Sequence, residues 1–294
     1  MSSTWPISNR RSTTVSSTVP DRPPAAAPDR RKAAVLGSPI THSRSPQLHL
    51  AAYRALGLPS WTYERIECTA EQLPGLVSAL GPEWVGLSVT MPGKFAALEF
   101  ADQRTDRAQL VGSANTLVQL PAGGWRADNT DIDGVVGALG AAGDSALVIG
   151  SGGTAPAAVV ALAELGAQRI TIVARDEGKA SRLVDLANRC GAQGSWCDIA
   201  GSALTDAVAT ADSAVSTIPA DAAAAYADTL AAVPRVLDAI YDPWPTPLAA
   251  AVEAAGGEAI NGLQMLLNQA FAQVEQFTGM PAPKEAMRDA LLRP

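Results

Sequence analysis

Hydrophobic and polar positions along this chain switch repeatedly between two periods. KAAVLGSPI, from Lys32, is a short apolar run closed by Gly37 and Pro39, which predicts a buried strand. In THSRSPQLHLAAYRALGL, Leu48, Ala51, Ala52 and Ala55 recur at helical spacing, and Ser45 before Pro46 has the form of an N-cap and first helical residue. WTYERIEC reads as a second strand, EQLPGLVSAL as a helix, and VGLSVTM as a third strand stopped by Pro92 and Gly93. KFAALEFAD is helical, SANTLVQL and GWRADN pair as strands across the PAGG turn, and DIDGVVGALGAAG is a helix. A second unit follows, with the strand ALVIG, a glycine turn, a helix to Leu165, the strand RITIVAR, and strands at SAVSTIP and RVLDAIY. The final pattern, GLQMLLNQAFAQVEQF, carries Leu263, Leu266, Leu267, Ala270, Phe271 and Val274 on one helical stripe.

Strand and helix periods that alternate in this way predict an α/β protein. The order of parts predicts two domains with a cleft between them. Residues 32–130 form an N-terminal βαβ substrate-binding domain, completed by 263–294, and residues 131–262 form a Rossmann-like dinucleotide-binding domain. A chain of 294 residues with 47% hydrophobic and 17% charged positions has ample material for the cores of one or two domains. Residues 1–31 are rich in Ser, Thr, Pro and Arg, carry no acidic residue before Asp21 and lack the apolar core of a secretory signal. They are expected to form a disordered extension.

The formal net charge of -7 argues against general binding to nucleic acid or a membrane surface, since such polyanions need a basic field. No apolar run approaches the roughly 20 uninterrupted residues of a membrane span. Cys68, Cys190 and Cys197 are odd in number and include no C-x-x-C pair, so neither a disulfide framework nor a zinc site is indicated and a reducing cytoplasm is expected. His42 and His49, without nearby acids or cysteines, make a weak metal set. No metal is implied.

In LVIGSGGTA, Gly150, Gly152 and Gly153 are expected to allow positive φ and close backbone approach, while the following helix presents free N–H groups to a pyrophosphate. Ala155 replaces the third glycine of the G-x-G-x-x-G pattern, and a small residue there still permits close helix packing. At the end of the next strand an acid suits the ribose of NAD and an arginine suits the phosphate of NADP; this chain has Arg175 followed by Asp176. Lys179 and Arg182 add positive charge nearby and tip the reading to NADP, with NAD as the alternative. Lys94 follows Pro92-Gly93 at a helix start, a position that disfavours a cation by about 0.3–1 kcal/mol and so suits a proton donor. Asp131 and Asp133 lie in a first helical turn, where acids are favoured structurally.

From about Lys32 onward the chain resembles the shikimate dehydrogenase family. The resemblance rests on LGSPITHSRSP, SVTMPGK, VGSANT, DNTD, IGSGGTA, ARDEGKA, IYDPWPTPL and NGLQMLLNQA, eight motifs in one order. It implies NADPH-dependent reduction of 3-dehydroshikimate to shikimate, with those two acids as small-molecule partners, no nucleic-acid or membrane partner, and a monomer or homodimer. By resemblance, Ser43 and Ser45 hold the substrate carboxylate, and Thr90, Asn115, Asp131 and Gln269 hold the ring hydroxyls. Lys94 and Asp131 are the catalytic pair, and Tyr241 lines the pocket. Gly150, Ser151, Gly152, Gly153 and Thr154 match cofactor contacts, as do Ala174, Arg175, Asp176 and Lys179. Ala239 and Gly262 do so too, and Asp106 matches an acidic site near the cofactor. Ser88 stands where the family commonly has Asn, and Asp176 where a small polar residue commonly accompanies the arginine. An NAD-dependent quinate/shikimate dehydrogenase and a catalytically silent sensor on the same fold are the alternative readings.

Overall fold

The computed structural model describes residues 30–292, so the expected disordered extension lies almost wholly outside the described residues. Within them the chain builds two six-stranded sheets. The first contains β1 (Lys32–Gly37), β2 (Thr62–Glu67), β3 (Trp84–Val89), β4 (Gln103–Arg104), β5 (Thr116–Gln119) and β6 (Trp125–Asp128), in the order β2-β1-β3-β5-β6-β4. Its β1, β2 and β3 run parallel, while β5 is antiparallel to β3 and β6. The second contains β7 (Ser145–Ile149), β8 (Arg169–Val173), β9 (Gln193–Cys197), β10 (Ser213–Ser216), β11 (Arg235–Asp238) and β12 (Glu258–Asn261), all parallel.

Read from one edge, the second sheet runs β9-β8-β7-β10-β11-β12, the doubly wound order in which the chain reverses between its first and fourth strands. Crossover helices cover both faces of such a sheet, so its central strand must be buried throughout. Every residue of β7, SALVI, is buried. The switch point lies between the ends of β7 and β10, where the glycine turn leaves the sheet.

Some elements escape the sequence pattern. β9 (QGSWC) buries only Cys197 and β12 (EAIN) only Ile260, too little for a strand periodicity to register. The helix Lys284–Leu291 was likewise not expected. The helix Ser45–Ala55 begins one residue earlier than expected. Arg44 takes the cap position with no side-chain cap bond, so Ser45 is not the N-cap and its hydroxyl is free for other partners.

The helix Gly262–Thr278 buries more than its predicted stripe, because it packs on two sides. Met265 meets the helix Asp131–Leu139, and Phe277 lies over Gly86 of β3. Its first turn is capped by Asn261, whose Oδ1 accepts from Leu263 N at 2.8 Å. Contact with the helix Asp131–Leu139 depends on absent side chains: a Cβ on Gly134 would lie 2.8 Å from the Met265 carbonyl oxygen. That approach holds the start of one helix, with Asp131, beside the middle of the other, with Gln269. Gly134→Val should therefore destabilise the fold by about 1–3 kcal/mol through overpacking, read by chemical denaturation. A variant as stable as the parent would show that the helices can separate freely.

Candidate active site

A cavity of about 240 Å³ opens at the C-terminal ends of β1 and β3, between the two sheets. Ser43 and Ser45 reach it from the loop after β1, and Ser45 N donates to Ser43 Oγ at 3.3 Å. Thr90 and Lys94 enter from the end of β3 and the helix Lys94–Phe100 behind it. Asn115, Asp131 and Gln269 close the opposite wall, and Tyr241 enters from the loop after β11, with burial pushing its hydroxyl upward in pKa. Ala239, Gly262 and Thr154 line the same space.

At its centre Lys94 Nζ donates to Asp131 Oδ2 at 2.5 Å, with both residues buried. Two charges withdrawn from water must be paired and their remaining valences met. Asp131 Oδ1 accepts from Asn115 Nδ2 at 3.0 Å, and Asn115 Nδ2 also donates to Gln269 Oε1 at 2.8 Å. On the far side Lys94 Nζ comes within 3.4 Å of Thr154 Oγ1, at the foot of the glycine turn. The Asn129-Thr130-Asp131 turn is tied down in its own right. Thr130 N donates to Asn115 Oδ1 at 2.7 Å and Asp131 N to Asn129 Oδ1 at 3.1 Å.

The glycine turn is built differently from expectation. Gly150 alone has positive φ, at 112°, and a Cβ there would sit 2.6 Å from Thr217 Oγ1. Gly152 and Gly153 lack positive φ; a Cβ on Gly152 would meet nothing within 4 Å, and one on Gly153 only Phe95, at 4.0 Å. Their contribution is space beside the first N–H groups of the helix Ala155–Glu164, which a phosphate can fill. Ser151, Gly152 and Gly153 border a second cavity of about 550 Å³ shared with Lys179 and Arg182. Arg175 is exposed just after β8, beyond the buried Ala174. The residues present therefore fit a dinucleotide carrying an extra phosphate.

Asp176 has a structural partner. Its Oδ1 accepts from Lys179 N at 3.0 Å, capping the helix Glu177–Arg189, and its Oδ2 lies 3.9 Å from Lys179 Nζ. Asp106 borders neither cavity and stands exposed at the start of the helix Asp106–Val111. Among the described residues no group of His, Cys, Asp and Glu could hold a metal, and no helix is long and apolar enough to cross a membrane.

Sequence reasoning missed most of a layer of polar groups around the cavity, singling out Ser88 only as a departure from the family's usual Asn. Ser88 and Gln273 line it, with Thr116, His49 and Tyr63 behind them. The signals were present: Ser88 lies two residues before Thr90 on the extended segment, and Gln273 four after Gln269 on a helix, so each shares its neighbour's face. Also missed was the brace beneath Asp131. Arg107 grips Asp128 with two bonds, Nε to Oδ1 at 2.7 Å and Nη2 to Oδ2 at 2.5 Å, and reaches Asp133 Oδ2 at 2.7 Å with Nη1.

Comparison with known proteins agrees with this geometry. Residues 35–117 match the family model of the shikimate dehydrogenase substrate binding domain, and residues 262–292 that of the shikimate 5'-dehydrogenase C-terminal domain. A shikimate dehydrogenase (NADP(+)) of Methylobacterium radiotolerans is 36% identical, over 86% of this chain and 93% of its own. The chain belongs to the shikimate dehydrogenase family. The solved shikimate dehydrogenase of Mycobacterium tuberculosis superposes with a TM-score of 0.87 at 72% identity, covering 89% of this chain and 99% of that one. A shikimate 5-dehydrogenase from Mycobacterium fortuitum is 92% identical with a TM-score of 0.84, covering 90% and 98%. As in other members, two α/β domains flank the cleft.

The Arg107 brace gives this dehydrogenase a defined acid response. Burial alone would raise the Asp128 carboxyl, but hydrogen bonds and charge from Arg107 overcome it and hold the group at about 2, below its ordinary 3.8. A depressed carboxyl contributes stability that is present above pH 3.8 and lost as pH falls through about 2. Arg107→Met should thus cost about 2–3 kcal/mol near neutral pH, with the gap between parent and variant closing over that acid window. Denaturation across pH would show it, and a gap independent of pH would refute the pairing.

Proposed function

We propose that Lys94 and Asp131 are the catalytic pair of an NADP-dependent shikimate dehydrogenase, working in the cavity between the two sheets. The observation that carries this is the buried 2.5 Å contact between them, in a pocket that also touches the glycine turn through Thr154. Residues 32–130, completed by 263–294, serve as the substrate domain, and residues 131–262 as the cofactor domain. Ser43 and Ser45 bind the acid's carboxylate, because two hydroxyls two residues apart can reach one group. Thr90, Asn115, Asp131 and Gln269 receive the ring hydroxyls, with Tyr241 closing the pocket.

The chemistry that NADP would supply when bound is hydride transfer at the ring carbon that bears the reacting oxygen. The chain's own task is the proton. In the reducing direction Lys94 donates a proton from Nζ to the oxygen as it becomes an alkoxide, and in oxidation it takes that proton back. Asp131 balances the charge on Lys94 and fixes the direction of its N–H bonds. Asn115, held by Thr130 N, keeps Asp131 from turning away.

Gly150, Ser151, Gly152, Gly153 and Thr154 would hold the cofactor's phosphates, and Arg175 and Lys179 its adenosine phosphate. Ala174, Ala239 and Gly262 would border it, and Asp176 would act indirectly as the cap of the helix that carries Lys179. Asp176 spends Oδ1 on Lys179 N, and its Oδ2 lies beside Lys179 Nζ, so the acid sits within a basic corner that favours the extra phosphate of NADP over a ribose hydroxyl alone. Asp106, matched to the cofactor by resemblance alone, borders neither cavity. The enzyme works in the cytoplasm, as a monomer or homodimer.

Steady-state kinetics with shikimate and quinate, each with NADP and NAD, test the reading; shikimate with NADP should give the highest kcat/KM. Lys94→Ala should lower kcat by about 10²–10⁴ with a much smaller change in shikimate KM. Near-normal hydride transfer in a single turnover by that variant would sink the proton role. Arg175→Ala should raise the KM for NADP about tenfold to a hundredfold by removing a charge-assisted contact, while the KM for NAD barely moves. Better use of NAD than NADP by the parent would overturn the cofactor assignment.

A further inference from the structure

Behind the cavity, a set of buried hydrogen bonds has its direction fixed by a single acceptor. Gln273 Nε2 lies 3.3 Å from the Asn115 carbonyl oxygen and 3.0 Å from Thr116 Oγ1. A backbone carbonyl only accepts, so the Gln273 amide nitrogen must face it and Oε1 must face the other way. Oε1 there meets Ser88 Oγ at 2.7 Å and His49 Nε2 at 3.3 Å. Ser88 must consequently donate to Gln273. His49 donates from Nε2, leaving Nδ1 as a buried atom without a partner among the described residues. His49 can hold that arrangement because burial keeps it neutral, pushing its pKa down to about 3.

With its one hydrogen given to Gln273, Ser88 accepts from Tyr63 Oη at 2.6 Å. A serine hydroxyl has one hydrogen and two lone pairs. The hydrogen and one lone pair are thus spent inside the protein, and Ser88 lines the cavity. Only one lone pair is left for a ligand there. A ligand hydroxyl is welcome there, whereas a carboxylate or ketone oxygen would set lone pair against lone pair. An asparagine at this position could instead present an N–H donor.

We infer that Ser88 is a hydroxyl-accepting specificity residue of the substrate cavity and that Gln273 is the positioning residue that fixes this polarity. The inference rests on the shikimate dehydrogenase reading, and it assigns one more ring hydroxyl contact to that pocket. Ser88 acts on the bound acid and not on the cofactor. Its loss should therefore appear in substrate KM and leave kcat and the KM for NADP largely unmoved, a split that general loosening of the fold would not give.

The test uses the full chain and first establishes turnover of shikimate with NADP by the parent; without it, the functional reading fails and not this inference. Ser88→Ala, Gln273→Met and the double variant are then compared. Each single change should raise shikimate KM by about threefold to tenfold, the effect of one neutral hydrogen bond. In the double variant the two effects should be less than additive, because Gln273 acts through Ser88. Should Gln273→Met not fold, Ser88→Ala carries the test through its KM. An unchanged shikimate KM in Ser88→Ala, a matching rise in the KM for NADP, or full additivity in the double variant would overturn the inference.

Discussion

The buried pairing of Lys94 with Asp131 is the constraint around which the rest of the molecule is arranged. Neither charge could sit alone in the interior, since an uncompensated buried ion costs several kcal/mol, roughly 3–5 when one partner is removed. Each residue also opens a helix, and the two positions are unequal: the helix dipole favours the carboxylate of Asp131 and disfavours the ammonium of Lys94. The carboxylate thus offsets a cation that its own helix start does not support. Holding the pair at 2.5 Å requires the Asn129-Thr130-Asp131 turn to be rigid, and Asn115, Thr130 and the Arg107–Asp128 brace supply that rigidity.

The same pair links the two sheets. Lys94 comes from the first sheet's side, while Asp131 begins the helix that leads into the second, and Thr154 approaches Lys94 from the glycine turn at 3.4 Å. A proton held at Lys94 Nζ is therefore close to both the substrate cavity and the start of the helix suited to phosphates. Close packing through Gly134 sets this geometry on one side, because side-chain bulk there would push Gln269 and Asp131 apart. Catalytic distance depends here on missing atoms as much as on present ones.

How much could be read from the sequence follows from how local each signal is. Alternating apolar periods exposed the central strands, and β7 registered because every one of its residues is buried. β9 and β12 did not, since one buried residue in a short segment carries no period. Lys94 stood out from its helix start alone, but Asn115, Asp131 and Gln269 were legible as its partners only through family motifs, because the four are far apart in sequence and meet through tertiary packing. Ser45 illustrates the opposite error. Its local form before Pro46 suggests a helix cap, but Arg44 takes the cap position and Ser45 instead lines the cavity.

Asp176 shows why the chemistry of a charged residue cannot be taken from its type alone. Beside Arg175 it looks like a ribose ligand, yet its carboxylate accepts from Lys179 N and so completes the first turn of the helix that carries Lys179 and Arg182. The acid thereby serves the basic corner. Capping orders the turn that presents those cations, and Lys179 Nζ lies only 3.9 Å from Asp176 Oδ2, an exposed contact worth little when measured alone. In a chain of net charge -7, attraction of a polyphosphate cannot come from the overall field. It must come from local placement: a helix N-terminus with open glycine space beside it, and cations on a helix whose start is fixed by an acid.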